Sequence, residues 1–194
     1  MEDARAEKSR LRLVLKARRA SLTARELQVA GDACARMVAQ LPEWKQAKAV
    51  CLYASFGAEL STESLLQIAL LEGKILVLPR VAKASTLTLH RVADVADLRR
   101  SKLGILEPAA EADEIPLSSV GLMLVPGLGF DRLGRRLGHG AGFYDRLLAK
   151  CPKKMFLLGH AHTFQFGSCL PAEPHDIKVK AVATPQGIIR CRVR

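Results

Sequence analysis

Four nearly continuous apolar runs punctuate the chain: AVCLY (49–53), KILVLP (74–79), VGLMLVPG (120–127) and MFLLGHA (155–161). Runs of this kind, bounded by turn residues, suit strands buried on both faces. TLTLHRV (86–92) alternates instead, as a half-exposed strand does, and VKAVAT (179–184) with GIIRCRV (187–193) predicts a closing strand pair. Helical periodicity fills the intervals. Residues 8–19 place Leu11, Val14 and Leu15 on one face and Lys8, Arg12 and Arg19 largely on another. Thr23 to Glu26 has the capping-box form. It opens a helix with Leu27, Ala30, Cys34, Met37, Val38 and Leu41 inward, ended near Pro42. STESLLQIALLEG (61–73) predicts a helix closed by Gly73, and FYDRLLAK (143–150) the first turns of another. Strands alternating with helices predict crossover units. The expected fold is α/β, a largely parallel sheet covered on both faces, in one domain spanning residues 1–194.

Composition leaves this picture intact and adds a charge. Hydrophobic content of 49% with 25% charged residues is ordinary for a globular domain, but the formal net charge is +11. Such an excess attracts nucleic acid, a membrane surface or polyanionic small molecules, unless it only solvates helix faces. Much of it sits in RLRLVLKARR (10–19) and IIRCRVR (188–194). No stretch approaches the ~20 apolar residues of a membrane span, and the N-terminus opens with mixed charges, so neither an anchor nor a secretory signal is expected. The cysteines (34, 51, 151, 169 and 191) are scattered and form no CxxC pair. They predict reduced thiols in a cytoplasmic protein, not a zinc site or a disulfide framework.

The densest chemistry lies in RLGHGAGFYDR (136–146). Alternating glycines after an apolar strand and before a helix expose backbone N–H groups that an anion can approach closely. The spacing is not GxGxxG and no Gly-Lys-Ser/Thr follows, so neither common nucleotide fingerprint applies. Arg136 offers a fork of donors for phosphate oxygens. Asp145 suits either a phosphate-bridging cation or a helix start. Phe143 and Tyr144 suit either stacking on a flat heterocycle or the core.

GRRLGHGAGFYDRLL (134–148) resembles the signature of the 5-formyltetrahydrofolate cyclo-ligase family, whose loop runs G-x-R-L-G-x-G-x-G-Y-Y-D. The resemblance covers nearly the whole chain in order. It takes in Lys8-x-x-x-Arg12, YASFGAELST (53–62), GKILVLPR (73–80), LGILEP (103–108), LMLVPGLGFD (122–131), Gln165 and PAEPHD (171–176). It implies a three-layer α/β sandwich related to ribose-phosphate isomerases and CoA transferases. It also implies ATP- and Mg²⁺-dependent conversion of 5-formyltetrahydrofolate to 5,10-methenyltetrahydrofolate, with release of ADP and phosphate. The formyl oxygen would attack the γ-phosphate, and N10 would then close the ring on an N5-iminium phosphate.

The same resemblance distributes roles. Lys8 and Arg12, one helical turn apart, would point at the triphosphate. Arg136 would stabilise the transferring phosphoryl, with Lys8 as its catalytic partner. The loop Leu137, Gly138, His139, Gly140, Ala141, Gly142, Phe143 and Tyr144 would complete the ATP site. Glu59 would hydrogen-bond the pterin, and Ala54, His139, Gly140, Phe143 and Tyr144 would complete the folate pocket. Asp145 and Asp176 would hold Mg²⁺. The expected partners are these small molecules, the folate with or without a polyglutamate tail, and the expected state is a monomer or homodimer. Specific nucleic acid and membrane partners are not expected.

Three positions depart from the family pattern. Phe143 stands where tyrosine is usual, Lys180 where a second aspartate is usual, and Pro185 where a glutamate is usual. A lysine aimed at a cation site would weaken it. Two rival readings follow. One is a relative that binds folate or nucleotide without turnover, resting on Lys180 and Pro185. The other is a basic nucleic-acid-binding protein, against which stand the 5% aromatic content and the lack of a recognised binding motif.

Overall fold

The computed structural model describes residues 2–82, 86–102, 104–167, 169–171, 173 and 176–192. Its helices are α1 (Glu2–Ala20), α2 (Ala24–Ala39), α3 (Pro42–Gln46), α4 (Glu63–Leu71) and α5 (Phe143–Leu148). Its strands, in chain order, are β1 (Ala49–Cys51), β2 (Ile75–Val81), β3 (Leu87–Arg91), β4 (Arg99–Arg100), β5 (Leu106–Glu107), β6 (Leu122–Pro126), β7 (Gly129–Asp131), β8 (Arg136–Leu137), β9 (Phe156–His160), β10 (Phe166–Gly167), β11 (Ala181–Thr184) and β12 (Gly187–Arg190). Seven of them form the central sheet in the order β12-β11-β9-β6-β1-β2-β3. The interior pairs are parallel, and the two edge strands β3 and β12 run antiparallel to their neighbours.

The apolar runs have the expected cause. Alternate residues of one strand enter opposite cores, so the central positions of each run are buried on both faces. Val50, Leu76, Leu78, Leu122, Leu124 and Leu158 meet α2, α3 and α4 on one face. Cys51, Val77, Met123, Val125, Leu157 and Val182 meet Phe130 and the α5 residues Leu147 and Leu148 on the other. Each buried leucine of these layers is worth roughly 1.5–3 kcal/mol against leaving it in water. The helix–sheet–helix layering agrees with the expected class.

Thr23 caps α2 as predicted: its hydroxyl accepts the Glu26 N–H, and the Glu26 carboxylate accepts the Thr23 N–H at 2.8 Å. That helix stops near Pro42, as expected. The last turn is closed at Gln40, and Pro42 opens α3 at its first position, where a missing N–H costs nothing. The structure decides which face of α1 lies inward. Lys8 and Arg19 are each only 7% exposed, whereas Leu13 and Val14 face solvent. Leu11 and Leu15 pack on Leu128, Leu137 and Leu170 around the small β10-β7-β8 sheet. The inward face of α1 therefore carries Lys8, Arg12, Leu15 and Arg19 at helical spacing, because what it covers is partly a polar basin.

Chain direction explains where that basin lies. After β1 the chain adds β2 and β3 on one side, then returns to place β6, β9 and β11 on the other. The order reverses between β1 and β6, and loops leaving the carboxyl ends of those neighbours diverge there, opening a crevice. Among the described residues no helix is long and apolar enough to cross a membrane. The five cysteines are free thiols.

Candidate active site

Two cavities share one wall at this switch point. An apolar cleft of about 350 Å³ lies between the loop after β1, the β2–β3 edge, the β4–β5 hairpin and the glycine loop. A polar basin of about 430 Å³ lies beneath α1. Arg136, Gly138, Gly140, Gly142 and Asp145 line both. The loop thus partitions an apolar space from a charged one.

Buried polar groups hold that wall in place. The Asp131 carboxylate accepts N–H bonds from Leu133, Arg135 and Leu170 at 2.9–3.0 Å, which shapes the turn between β7 and β8. Gln165 donates to Gly127 and Leu128 carbonyls at 3.1 and 2.8 Å, tying the segment after β6 to the loop after β9. Gly140 and Gly142 have φ of 102° and 73°, a region a side chain disfavours, so the backbone can fold back onto the basin.

In the basin, Lys8 Nζ lies 2.6 Å from Glu173 and 3.3 Å from Asp176. Arg12 Nε donates to Gly138 O at 3.0 Å. Arg136 pairs with Asp145, donates to Pro126 O at 3.3 Å and sits 5.9 Å from the Tyr144 ring centroid. Every predicted phosphate-binding cation is therefore present, and Lys8 and Arg136 hold carboxylates where phosphate oxygens are expected. Leu137 borders the basin but is a buried hairpin residue, its carbonyl accepting Leu128 N–H at 2.7 Å.

On the apolar side lie Ala54, Glu59, His139, Phe143 and Tyr144, the expected folate-pocket residues, together with Ala141, expected in the ATP site; His139, Ala141, Phe143 and Tyr144 line only this cleft and not the polar basin. Glu59 is already engaged: it accepts the Phe56 N–H at 3.1 Å, with His139 at 3.7 Å and Arg19 at 3.9 Å. Sequence reasoning missed Phe56, from the loop after β1, and Val81, Leu87, Leu106 and Glu107, which the β2–β3–β5 packing brings to this cleft. It missed Glu173 as a partner of Lys8 and Arg19 as a support of the Glu59 loop, where Arg19 Nε donates to Ala58 O at 3.0 Å. PAEPHD contained Glu173, but nothing in its spacing singled out that carboxylate. His175 of the same block lies outside the described residues.

The departures separate cleanly. Lys180 Nζ donates to Lys153 O at 2.9 Å, at the start of β11 and beside the loop that enters β9. This is the opposite end of the parallel strands from the glycine loop, so its ammonium does not reach Asp145 or Asp176. Pro185 lies in the β11–β12 turn. Among the described residues no group of three His, Cys, Asp or Glu side chains forms a metal cage. Asp145 and Asp176 instead line one basin with the expected phosphate donors, which fits Mg²⁺ held by one or two carboxylates plus phosphate.

Beneath the apolar cleft, Tyr53 lies 3.0 Å from His160 Nδ1. Burial pushes the Tyr53 hydroxyl well above its usual range and His160 down to about 3, so a phenol donates to a neutral imidazole. Burial lowers His162 to about 4. Both imidazoles take up protons near pH 6.5 when the chain unfolds but resist doing so when folded. Stability is therefore full above about pH 6.5 and falls as pH drops toward 4. The melting temperature measured by calorimetry is expected to decline between pH 6.5 and 4.5, and His160→Asn to flatten that slope. A slope identical in the variant would contradict this origin.

Comparison with known proteins assigns the chain to a family. The model of the 5-formyltetrahydrofolate cyclo-ligase family matches residues 4–185. A probable 5-formyltetrahydrofolate cyclo-ligase of Schizosaccharomyces pombe is 31% identical, covering 95% of this chain and 98% of its own. The 5-formyltetrahydrofolate cyclo-ligase of Escherichia coli K12 is 33% identical, covering 90% and 98%. The solution structure of Aquifex aeolicus 5,10-methenyltetrahydrofolate synthetase superposes with a TM-score of 0.85 at 34% identity, covering 96% of this chain and 94% of that one. Fold, loop and relatives converge, and the chain belongs to the 5-formyltetrahydrofolate cyclo-ligase family.

Proposed function

We propose that this enzyme converts 5-formyltetrahydrofolate and ATP to 5,10-methenyltetrahydrofolate, ADP and phosphate, with the reacting atoms meeting at the glycine-loop wall. The observation that carries this reading is the position of Arg136 on the border of both cavities. A triphosphate in the basin and a reduced pterin in the cleft would touch only there.

The formyl oxygen attacks the γ-phosphorus as the bond to the ADP oxygen breaks. N10 then attacks the formyl carbon and loses its proton, and phosphate leaves with the C–O electron pair. Such a reaction needs charge neutralisation and alignment more than a reactive side chain. Lys8 and Arg12 exchange their present oxygen partners for phosphate oxygens. Arg136 turns from Asp145 to the transferring phosphoryl, where its fork matches the charge spread over the equatorial oxygens. The backbone N–H groups from Gly138 to Gly142 take the remaining oxygens. Asp145 and Asp176 would hold Mg²⁺, which neutralises phosphate charge when bound. The apolar cleft walls exclude water, whose attack on the activated formyl group would only return the substrate.

The +11 net charge favours folates with anionic polyglutamate tails. The free thiols suit a reducing compartment such as the cytoplasm. The decisive experiment mixes the protein with 5-formyltetrahydrofolate, ATP and Mg²⁺ and follows the near-ultraviolet absorbance of the methenyl product. Growth of that band dependent on all three is expected. Folded protein that binds each ligand yet produces no band would be the degenerate relative instead.

A further inference from the structure

Glu107 takes no part in the chemistry above, and its setting is a costly one for a carboxylate. It ends β5 in the hairpin over the apolar cleft and is 4% exposed. Among the described residues its side chain accepts no hydrogen bond, and its one ionic neighbour is Arg80, with Nη1 4.0 Å from Oε2. That Nη1 is itself committed to the Pro108 carbonyl at 2.6 Å. Pro79, Val81, Leu87 and Leu106 flank it in the cleft. A carboxylate buried among apolar groups without donors is destabilising unless something supplies them.

We infer that Glu107 is the residue that grips the donor edge of the pterin, its 2-amino group and N3–H, and so fixes how the folate lies in the cleft. This rests on the folate reading above. The edge presents two parallel N–H bonds spaced like the two oxygens of a carboxylate, so a bidentate, charge-assisted pair forms. Arg80 faces Oε2 from one side at 4.0 Å and leaves the carboxylate oxygens free to accept from the ligand. N5 with its formyl group lies across the bicycle from that edge. Holding the edge at Glu107 therefore turns the formyl oxygen away from Glu107, toward the cleft wall that Arg136 and the glycine loop form. Glu59 stands beside His139 of the glycine loop and is already bonded to the Phe56 N–H. The two carboxylates divide the ring: Glu107 orients it, and Glu59 borders the reacting half.

The test is Glu107→Gln, which keeps volume and removes charge. KM for 5-formyltetrahydrofolate is expected to rise about 10–100-fold with KM for ATP within about twofold, the loss of one buried charged hydrogen-bond pair. A 2-desamino-2-methyl analogue of the substrate supplies the second arm. Wild-type enzyme should discriminate against it by a similar factor, and E107Q should not, since both changes remove one interaction. Lower thermal stability with an unchanged folate KM would make Glu107 a purely structural partner of Arg80 and overturn the inference. If E107Q does not fold, equal wild-type KM values for substrate and analogue overturn it, and strong discrimination upholds it. Wild-type protein inert toward the parent substrate would sink the activity itself, a different failure.

Discussion

Arg136→Ala is expected to lower kcat by about 10³-fold with little change in either KM, as for other arginines that stabilise a transferring phosphoryl group. Its guanidinium is almost wholly buried between the two cavities and held by Asp145 and the Pro126 carbonyl. It is thus prepositioned and needs only to exchange one anionic partner for another. The interaction counts most when charge moves onto the phosphoryl oxygens, so its removal falls on kcat more than on binding. Arg136→Lys should recover only part of the loss, because an ammonium cannot engage two oxygens in a plane. Circular dichroism and a thermal melt would confirm an intact fold. An alanine variant that keeps kcat within threefold of wild type would remove Arg136 from the mechanism.

Gly134→Ala should cost more stability than any other single methyl addition in the β7–β8 hairpin. Gly134 has φ of 78°, and an added Cβ would stand 2.3 Å from the Val179 carbonyl oxygen. The left-handed backbone alone costs roughly 1–2 kcal/mol for a side chain. The clash is with backbone, which no rotamer change relieves, so a total of about 3–5 kcal/mol is expected. That corresponds to a fall in melting temperature of roughly 10 °C for a chain of this length. The effect reaches function by a definite path. Gly134 O accepts the Val179 N–H at 2.8 Å, joining the hairpin that carries Arg136 to the segment that carries Asp176. Separating these should weaken ATP binding, measured by titration calorimetry, more than folate binding. An unaltered melt, or equal losses for both ligands, would refute the coupling.

The strands were legible because burial on both faces writes itself as an unbroken apolar run. Leu122 to Val125 are buried in turn toward opposite cores, so no polar residue interrupts them. The Thr23–Glu26 cap was legible because its bonds lie within four consecutive residues. The glycine loop was legible for the same reason: donors, glycines, aromatics and carboxylate lie within one short segment. Helix α1 was only partly legible, because the apolar and basic faces do not say which of them lies against the rest of the chain. Here the inward face meets Glu173, Asp176, Gly138 O and Ala58 O, so lysine and arginine are buried while Leu13 and Val14 stay wet.

Taken by itself, the sequence determined the layered α/β class, the glycine loop and the basic residues that line the basin with it. Each of these depends on neighbours along the chain. Only the tertiary structure decided which oxygen each cation faces, that Lys180 points away from the basin, and that Glu107 is buried beside Arg80 in an apolar cleft. Those facts arise where β1 and β6 diverge and β5 folds over β2, contacts between residues far apart in the chain, whose side chains carry no local pattern that foretells the meeting.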